Sequence, residues 1–105
     1  MSKWAIVYTE EAESDLRRIY DYIAYNLLEV EIAQNQRDNI MNAIHRLDEM
    51  PQRYKLYEKE PWRSKGLRVL PVDNYLVFYL PLKNKKAVAI IRIMYGGSNI
   101  DKHLK

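Results

Sequence analysis

Apolar residues change their spacing once along this chain, and that change most constrains the fold. Ala12, Leu16, Ile19, Tyr20, Ile23 and Leu27 recur at steps of one, three or four, which is the stripe of a helix buried on one side. The phase is lost around Asn26 to Glu31. A second stripe then runs through Ala33, Ile40, Ile44 and Leu47 until Met50-Pro51 ends it, because proline breaks the helical ladder and restricts the residue before it. Two such helices joined by a short turn form an αα-hairpin that must cover something else. Ahead of it, Trp4, Ile6 and Tyr8 alternate with Ala5 and Val7, predicting a short strand. Thr9 reads as an N-cap, with Glu10, Glu11 and Glu13 placing negative charge in the first helical turn.

After residue 66 the period shortens to that of strands. Three are expected: Leu67 to Val72, Tyr75 to Leu80 and Ala87 to Tyr95. Asp73-Asn74 fits a two-residue hairpin turn, while Pro81 and the Lys83-Asn84-Lys85-Lys86 run make the next one. Pro71 cannot donate to a ladder, so its strand is expected at an edge or with a bulge. Between helices and strands, Pro51 to Gly66 holds two prolines and no period, and reads as a surface loop. Gly96-Gly97 stops the last strand, and Ser98 to Asp101 cap a short terminal helix. The order β-α-α-β-β-β predicts an α+β domain. In it an N-terminal strand and a three-stranded antiparallel meander form a mostly antiparallel four-stranded sheet, with the αα-hairpin packed on one face. At 105 residues, one domain spanning 1–105 is expected.

Composition narrows the chemistry. The chain has no cysteine, so disulfides and thiolate metal sites are excluded, and the cytoplasm is the expected compartment. No stretch has the length of a signal-peptide core or a membrane span. His45 and His103 stand in no metal-ligand spacing, Gly96-Gly97 leads into no phosphate-cradling helix, and neither Ser64 nor Ser98 has a neighbouring base. Neither metal nor cofactor is expected, and a small core favours function at a surface.

Charge divides the chain. Residues 1–50 carry five Lys/Arg and ten Asp/Glu, a balance of −5, whereas residues 51–105 carry twelve and four, a balance of +8. The basic half is the expected partner surface, with affinity that falls as salt rises, and the acidic hairpin is expected to face solvent. Within it, Arg53, Tyr54, Lys55, Tyr57, Trp62, Arg63, Lys65 and Arg68 interleave cations with rings. The rings either stack bases of single-stranded nucleic acid or pack beneath the loop. Arg92 lies inside an apolar strand, opposite in alternation to Ile91 and Ile93. It joins Arg68 on an open sheet face as a phosphate site, or it pairs at an edge with Asp73 or Glu58.

Several stretches, in order, resemble one family: Tyr8-Thr9-Glu10-Glu11-Ala12-Glu13 with Asp15-Leu16, Tyr22-Ile23, Ala43-Ile44-His45-Arg46-Leu47, Gly66-Leu67-Arg68, Val72 to Tyr79, and Ile91 to Gly96. Together they resemble the RelE/ParE superfamily of type II toxin-antitoxin systems. The resemblance implies a growth-inhibiting toxin neutralised by a cognate antitoxin. RelE-like members cut messenger RNA on the ribosome, and ParE-like members inhibit DNA gyrase without being nucleases. The long hairpin and the Gly66 to Tyr79 stretch look closer to ParE. The RelE cleavage pattern is poorly matched: Leu76 stands where a strand arginine belongs, Ser98 or Asn99 where a later arginine belongs, and the terminal tyrosine is missing. Candidate target-binding residues are Arg63, Lys65, Arg68, Tyr75, Arg92 and Tyr95. Arg68, Arg92 and His103 are the catalytic candidates if the chain is a metal-independent ribonuclease. A non-toxic basic RNA-binding module is the reading outside the toxin class.

Overall fold

The computed structural model describes residues 3–98 and 100–104, apart from the side chains of Asp101 and His103. Strand β1 (Ala5–Tyr8) leads into helix α1 (Glu10–Asp21), which runs on through a π turn at Tyr22–Asn26. Helix α2 (Val30–His45) returns, followed by one-turn helices α3 (Trp62–Lys65) and α4 (Ile100–His103) on either side of β2 (Arg68–Val72), β3 (Tyr75–Leu82) and β4 (Ala87–Tyr95). The sheet order is β1-β4-β3-β2. Neighbours β2, β3 and β4 are antiparallel, as the short turns dictate, but β1 lies parallel to β4. The helical hairpin is the crossover that makes a parallel neighbour possible.

Local expectations hold where chemistry is local. Thr9 is extended and its hydroxyl accepts from the Ala12 N–H at 3.1 Å, capping α1. The same hydroxyl lies 2.9 Å from the Ile90 carbonyl and 3.0 Å from that of Ile91, tying the helix start to β4. Asp73 takes a positive φ of 55°, and Val72 pairs with Tyr75 across a two-residue turn. Pro71 stands on β2, an edge strand of the sheet. Pro81 is not in a turn: β3 continues to Leu82. The proline is tolerated because β2 begins at Arg68, opposite Tyr79, so no ladder on that side reaches Pro81.

Two departures have physical causes. A π turn holds more residues per turn than an α-helix, so the stripe slips phase and Leu27 is exposed instead of buried. In β4, Phe78 pairs with Arg92 and Tyr79 with Ile90, leaving Ile91 as an unpaired extra residue, a β-bulge. Ile93 therefore joins Ile40, Ile44, Leu47, Val77 and Ile90 beneath the long helices, while Ile91 packs with Phe78 and Met94 on the other face. Ile91 and Ile93 do not share a side.

That other face is closed rather than open. Leu67, Phe78, Met94 and Leu104 are buried there beneath Tyr57, Trp62 and Ile100. The segment expected to be a plain loop supplies this lid and continues the sheet: the Tyr57 N–H donates to the Leu67 carbonyl, and the Val69 N–H to that of Lys55.

Tyr79 is fully buried, and its hydroxyl donates to the Pro51 carbonyl at 2.7 Å. Burial first of all pushes this phenol from 10.0 up to about 12, against the opposing pull of Arg68. Because the folded state holds the proton longer, its contribution is complete below pH 10 and is lost as pH rises towards 12. Burial raises Tyr8 and Tyr75 in the same direction. Tyr79→Phe is expected to cost about 1 kcal/mol at neutral pH and to flatten the alkaline loss measured by urea unfolding. An unchanged slope between pH 10 and 12 would assign that loss to other groups.

Candidate functional site

Arg92 has a partner that neither sequence reading named. β1 stops at Tyr8, opposite Ile90, so beyond that point the β4 edge meets helix α1 instead of a strand. Asp15 of α1 fills the gap. Its Oδ2 accepts from the Ile93 N–H at 2.9 Å and from Arg92 Nε at 2.7 Å, and its Oδ1 accepts from Arg92 Nη2 at 2.9 Å. Asp15 is only 5% exposed, and the Arg92 side chain 19%. The hydrogen bonds that it donates to Asp15 raise the Arg92 pKa above its ordinary value. A planar fork on a carboxylate is the strongest ion-pair geometry available, and burial makes each member depend on the other. Arg92 therefore pins helix to sheet and is not displayed on an open face. Asp73, the partner considered for it, accepts instead from Gln36 at 3.0 Å and Asn39 at 3.4 Å, holding the β2–β3 turn to α2.

Arg68 is also engaged, its Nη1 donating to the Tyr54 carbonyl at 2.7 Å. It lines a groove of about 480 Å³ with Gln52, Gly66, Pro81, Leu82 and the β3–β4 turn residues Lys83, Asn84 and Lys85. Gly66 has a φ of 90°, which lets the chain leave α3, where Arg63 and Lys65 sit, and enter β2 at once. Arg68, Lys83 and Lys85 thus line one groove, and Arg63 and Lys65 lie on the helical turn that ends at Gly66 beside it. Lys83 and Lys85 were read from the sequence only as turn residues; the signal that marks them is their charge, repeated within four residues.

The rings divide differently from the cations. Tyr57 meets Phe78 edge-on at 5.7 Å, Trp62 packs in the same cluster, and Tyr54 packs against the core under the helices. Arg53 and Lys65 lie over Tyr54 and Trp62 at 5.2 and 5.0 Å. All three rings are half-buried and packed against a core cluster. Tyr75 and Tyr95 lie at the opposite end of the sheet, 6.0 Å apart edge-to-face, with Tyr95 exposed. They do not join the basic groove. His103 lies in α4, but its side chain is outside the described residues. The hairpin tip, expected to be a solvent-facing acidic surface, also exposes Tyr22, Tyr25, Leu27, Leu28, Val30 and Ile32. Among the described residues no group of carboxylates and histidines is arranged for a metal, and no helix is long and apolar enough to cross a membrane.

A family model described as the ParE toxin of the parDE type II toxin-antitoxin system matches residues 6–100. The chain belongs to the ParE toxin family. The match takes in all of β1 but Ala5, both long helices and the whole meander, so membership covers nearly the whole fold. Solved structures of both ParE and RelE toxins share the fold. A chain of the chromosomal ParDE system from P. aeruginosa is 23% identical, with a TM-score of 0.73, covering 89% of this chain and 96% of that one. A chain of the RelBE2 toxin-antitoxin complex from Mycobacterium tuberculosis is 19% identical, with a TM-score of 0.64, covering 90% and 93%. An E. coli RelE mutant in the free state is 12% identical, with a TM-score of 0.67, covering 96% and 92%. No curated protein matches the sequence significantly.

Proposed function

We propose that this ParE-family toxin arrests growth by binding its target, DNA gyrase, through the basic end of the sheet, and that a cognate antitoxin neutralises it. The observation that carries the binding mode is the fork between Arg92 and Asp15. Cleavage of RNA by its own 2′-hydroxyl needs a proton acceptor, cations on the crowded phosphate and a donor for the leaving oxygen. A guanidinium already spent on a buried carboxylate does not supply the second of these. Arg68, engaged with the Tyr54 carbonyl, stands at the other end of the meander from Tyr75 and Tyr95. What the basic end offers is attraction: Arg68, Lys83 and Lys85 around an open groove, with Arg63 and Lys65 on the adjoining turn. The antitoxin partner follows from family membership and from toxin-antitoxin complexes among the structures of like fold.

Induced expression is expected to stop growth, with gyrase-dependent DNA breaks and intact messenger RNA soon after induction. Co-expression of the neighbouring gene should restore growth. Lys83→Glu with Lys85→Glu should weaken gyrase inhibition about tenfold or more at low salt, since charge-assisted contacts are worth about 1.5–3 kcal/mol each. His103→Ala should leave the arrest unchanged, whereas loss of a proton-transfer group costs about a hundredfold. Cleavage of ribosome-bound messenger RNA by the purified protein, abolished by His103→Ala, would replace this reading with a ribonuclease.

A further inference from the structure

The end of the sheet that carries the basic groove holds a second cavity, and the two share a wall. Trp4, Met50 and Pro51 line a pocket of about 410 Å³, with Lys3, Asp48 and Glu49 around it. Gln52 belongs to this pocket and to the groove of Arg68, Lys83 and Lys85 alike. The backbone holds the two side by side. The Trp4 N–H donates to the Asp48 carbonyl at 2.9 Å and the Ala5 N–H to that of Lys86 at 3.0 Å, so β1 starts between the 48–52 connection and the β3–β4 turn. The Pro51 carbonyl accepts from the buried Tyr79 hydroxyl, which fixes that side of the pocket.

Met50 is held there against its own preference. Its φ of 49° and ψ of 56° are left-handed, a region that glycine and asparagine enter readily and methionine rarely. Yet its side chain is largely outside the core: the residue is 71% exposed, so burial within the domain does not account for a methionine at this position. A flexible thioether suits a contact made with another surface. Charge then separates the two cavities. The groove is lined by Arg68, Lys83 and Lys85 and by no carboxylate, whereas Asp48 and Glu49 stand at the pocket, 3.8 and 3.9 Å from the Lys3 ammonium. A phosphodiester strand laid along the groove and on into the pocket would meet those two carboxylates and be repelled. A protein segment matches both halves, with a carboxylate over the cations and an apolar side chain against the ring and thioether.

We propose that the toxin holds gyrase by a two-part contact: an acidic side chain of a gyrase surface segment enters the groove of Arg68, Lys83 and Lys85, and a neighbouring apolar side chain of that segment packs into the pocket of Trp4, Met50 and Pro51. This rests on the gyrase reading above and deepens it, by naming the kind of segment bound and an anchor that lies in the acidic half of the chain. The apolar contact supplies affinity that salt does not screen, while the cations supply attraction and register.

The test measures binding of the purified full-length chain to purified gyrase holoenzyme at low and at high salt. Met50→Asn removes the apolar side chain and leaves a residue that accepts the left-handed backbone. It is expected to weaken binding about tenfold at both salt concentrations, while the urea unfolding midpoint stays at the wild-type value or rises. Met50→Leu should recover most of that loss. Lys83→Glu with Lys85→Glu should weaken binding at low salt and approach the wild type as salt rises. The proposal fails if Met50→Asn binds gyrase with wild-type affinity, or if its loss shrinks with salt as that of the charge variant does. It fails too if the chain binds a short DNA duplex as tightly as it binds gyrase, which would make the phosphodiester backbone the occupant. Self-association of the free chain that Met50→Asn abolishes would make the occupant a second copy, with the same result. A wild-type chain that binds no gyrase and causes no gyrase-dependent breaks overturns the target reading itself. One that binds gyrase without any dependence on Met50 overturns only the two-part contact.

Discussion

Asp15→Ala is expected to lower the stability of this domain by about 3–5 kcal/mol, the cost of breaking a buried pair and leaving one charge behind. The carboxylate accepts three hydrogen bonds, two from the Arg92 fork and one from the Ile93 N–H. Alanine strands all three donors at a site only 5% exposed. A fall of roughly 15 °C in the melting temperature follows for a chain of this size. Arg92→Ala should be similar in sign and somewhat smaller, since the Ile93 N–H still has its acceptor. Replacing both members with apolar residues of like volume, Asp15→Leu with Arg92→Met, should recover much of the loss, because the desolvation cost disappears with the charges. Urea unfolding of the four proteins decides the matter: an Asp15→Ala midpoint at the wild-type value would show that the pair holds nothing together. The same variants bear on function. Arg92→Ala should lose toxicity only as far as it loses folded protein. A variant with wild-type stability and no toxicity would return Arg92 to the target surface.

Phe78→Ala is expected to cost about 3–5 kcal/mol, the usual range for deleting a fully buried aromatic ring. Phe78 has no exposed surface and stands at the centre of the cluster formed by Leu67, Met94 and Leu104. It also meets Tyr57 edge-on, so the cavity opens beneath Tyr57 and Trp62, the part of the lid that the 51–66 segment supplies. The lid should then detach before the helical side does, visible as proteolytic cutting after Lys59 or Arg63 at denaturant concentrations where the wild type resists. Wild-type resistance and an unchanged unfolding midpoint would mean that this sheet face carries no core of its own.

The basic groove was partly legible and the ion pair was not. Charge counting placed the cations in the second half of the chain, and Arg68 lies in the groove they form. Lys83 and Lys85 reach it only because β3 runs on past Pro81 and brings the turn back beside Gly66. The rings at 54, 57 and 62 could equally have stacked bases or packed, and only the position of the loop over the sheet decided for packing.

The sequence by itself determined what depends on neighbours in the chain. Thr9 caps α1, the two apolar stripes make a hairpin, Asp73-Asn74 turns β2 into β3, and Pro71 stands on an edge strand. Each follows from a residue's own dihedral preference or from the side on which it emerges from its own element. The tertiary structure decided the rest: the place of β1 beside β4, the Ile91 bulge that undoes alternation, the closed second face, and a carboxylate meeting a guanidinium across 77 residues. Periodicity reports which way a side chain points but not what waits there. What waits is set by how two elements distant in sequence pack to bury their apolar faces and satisfy the hydrogen bonds left at their ends.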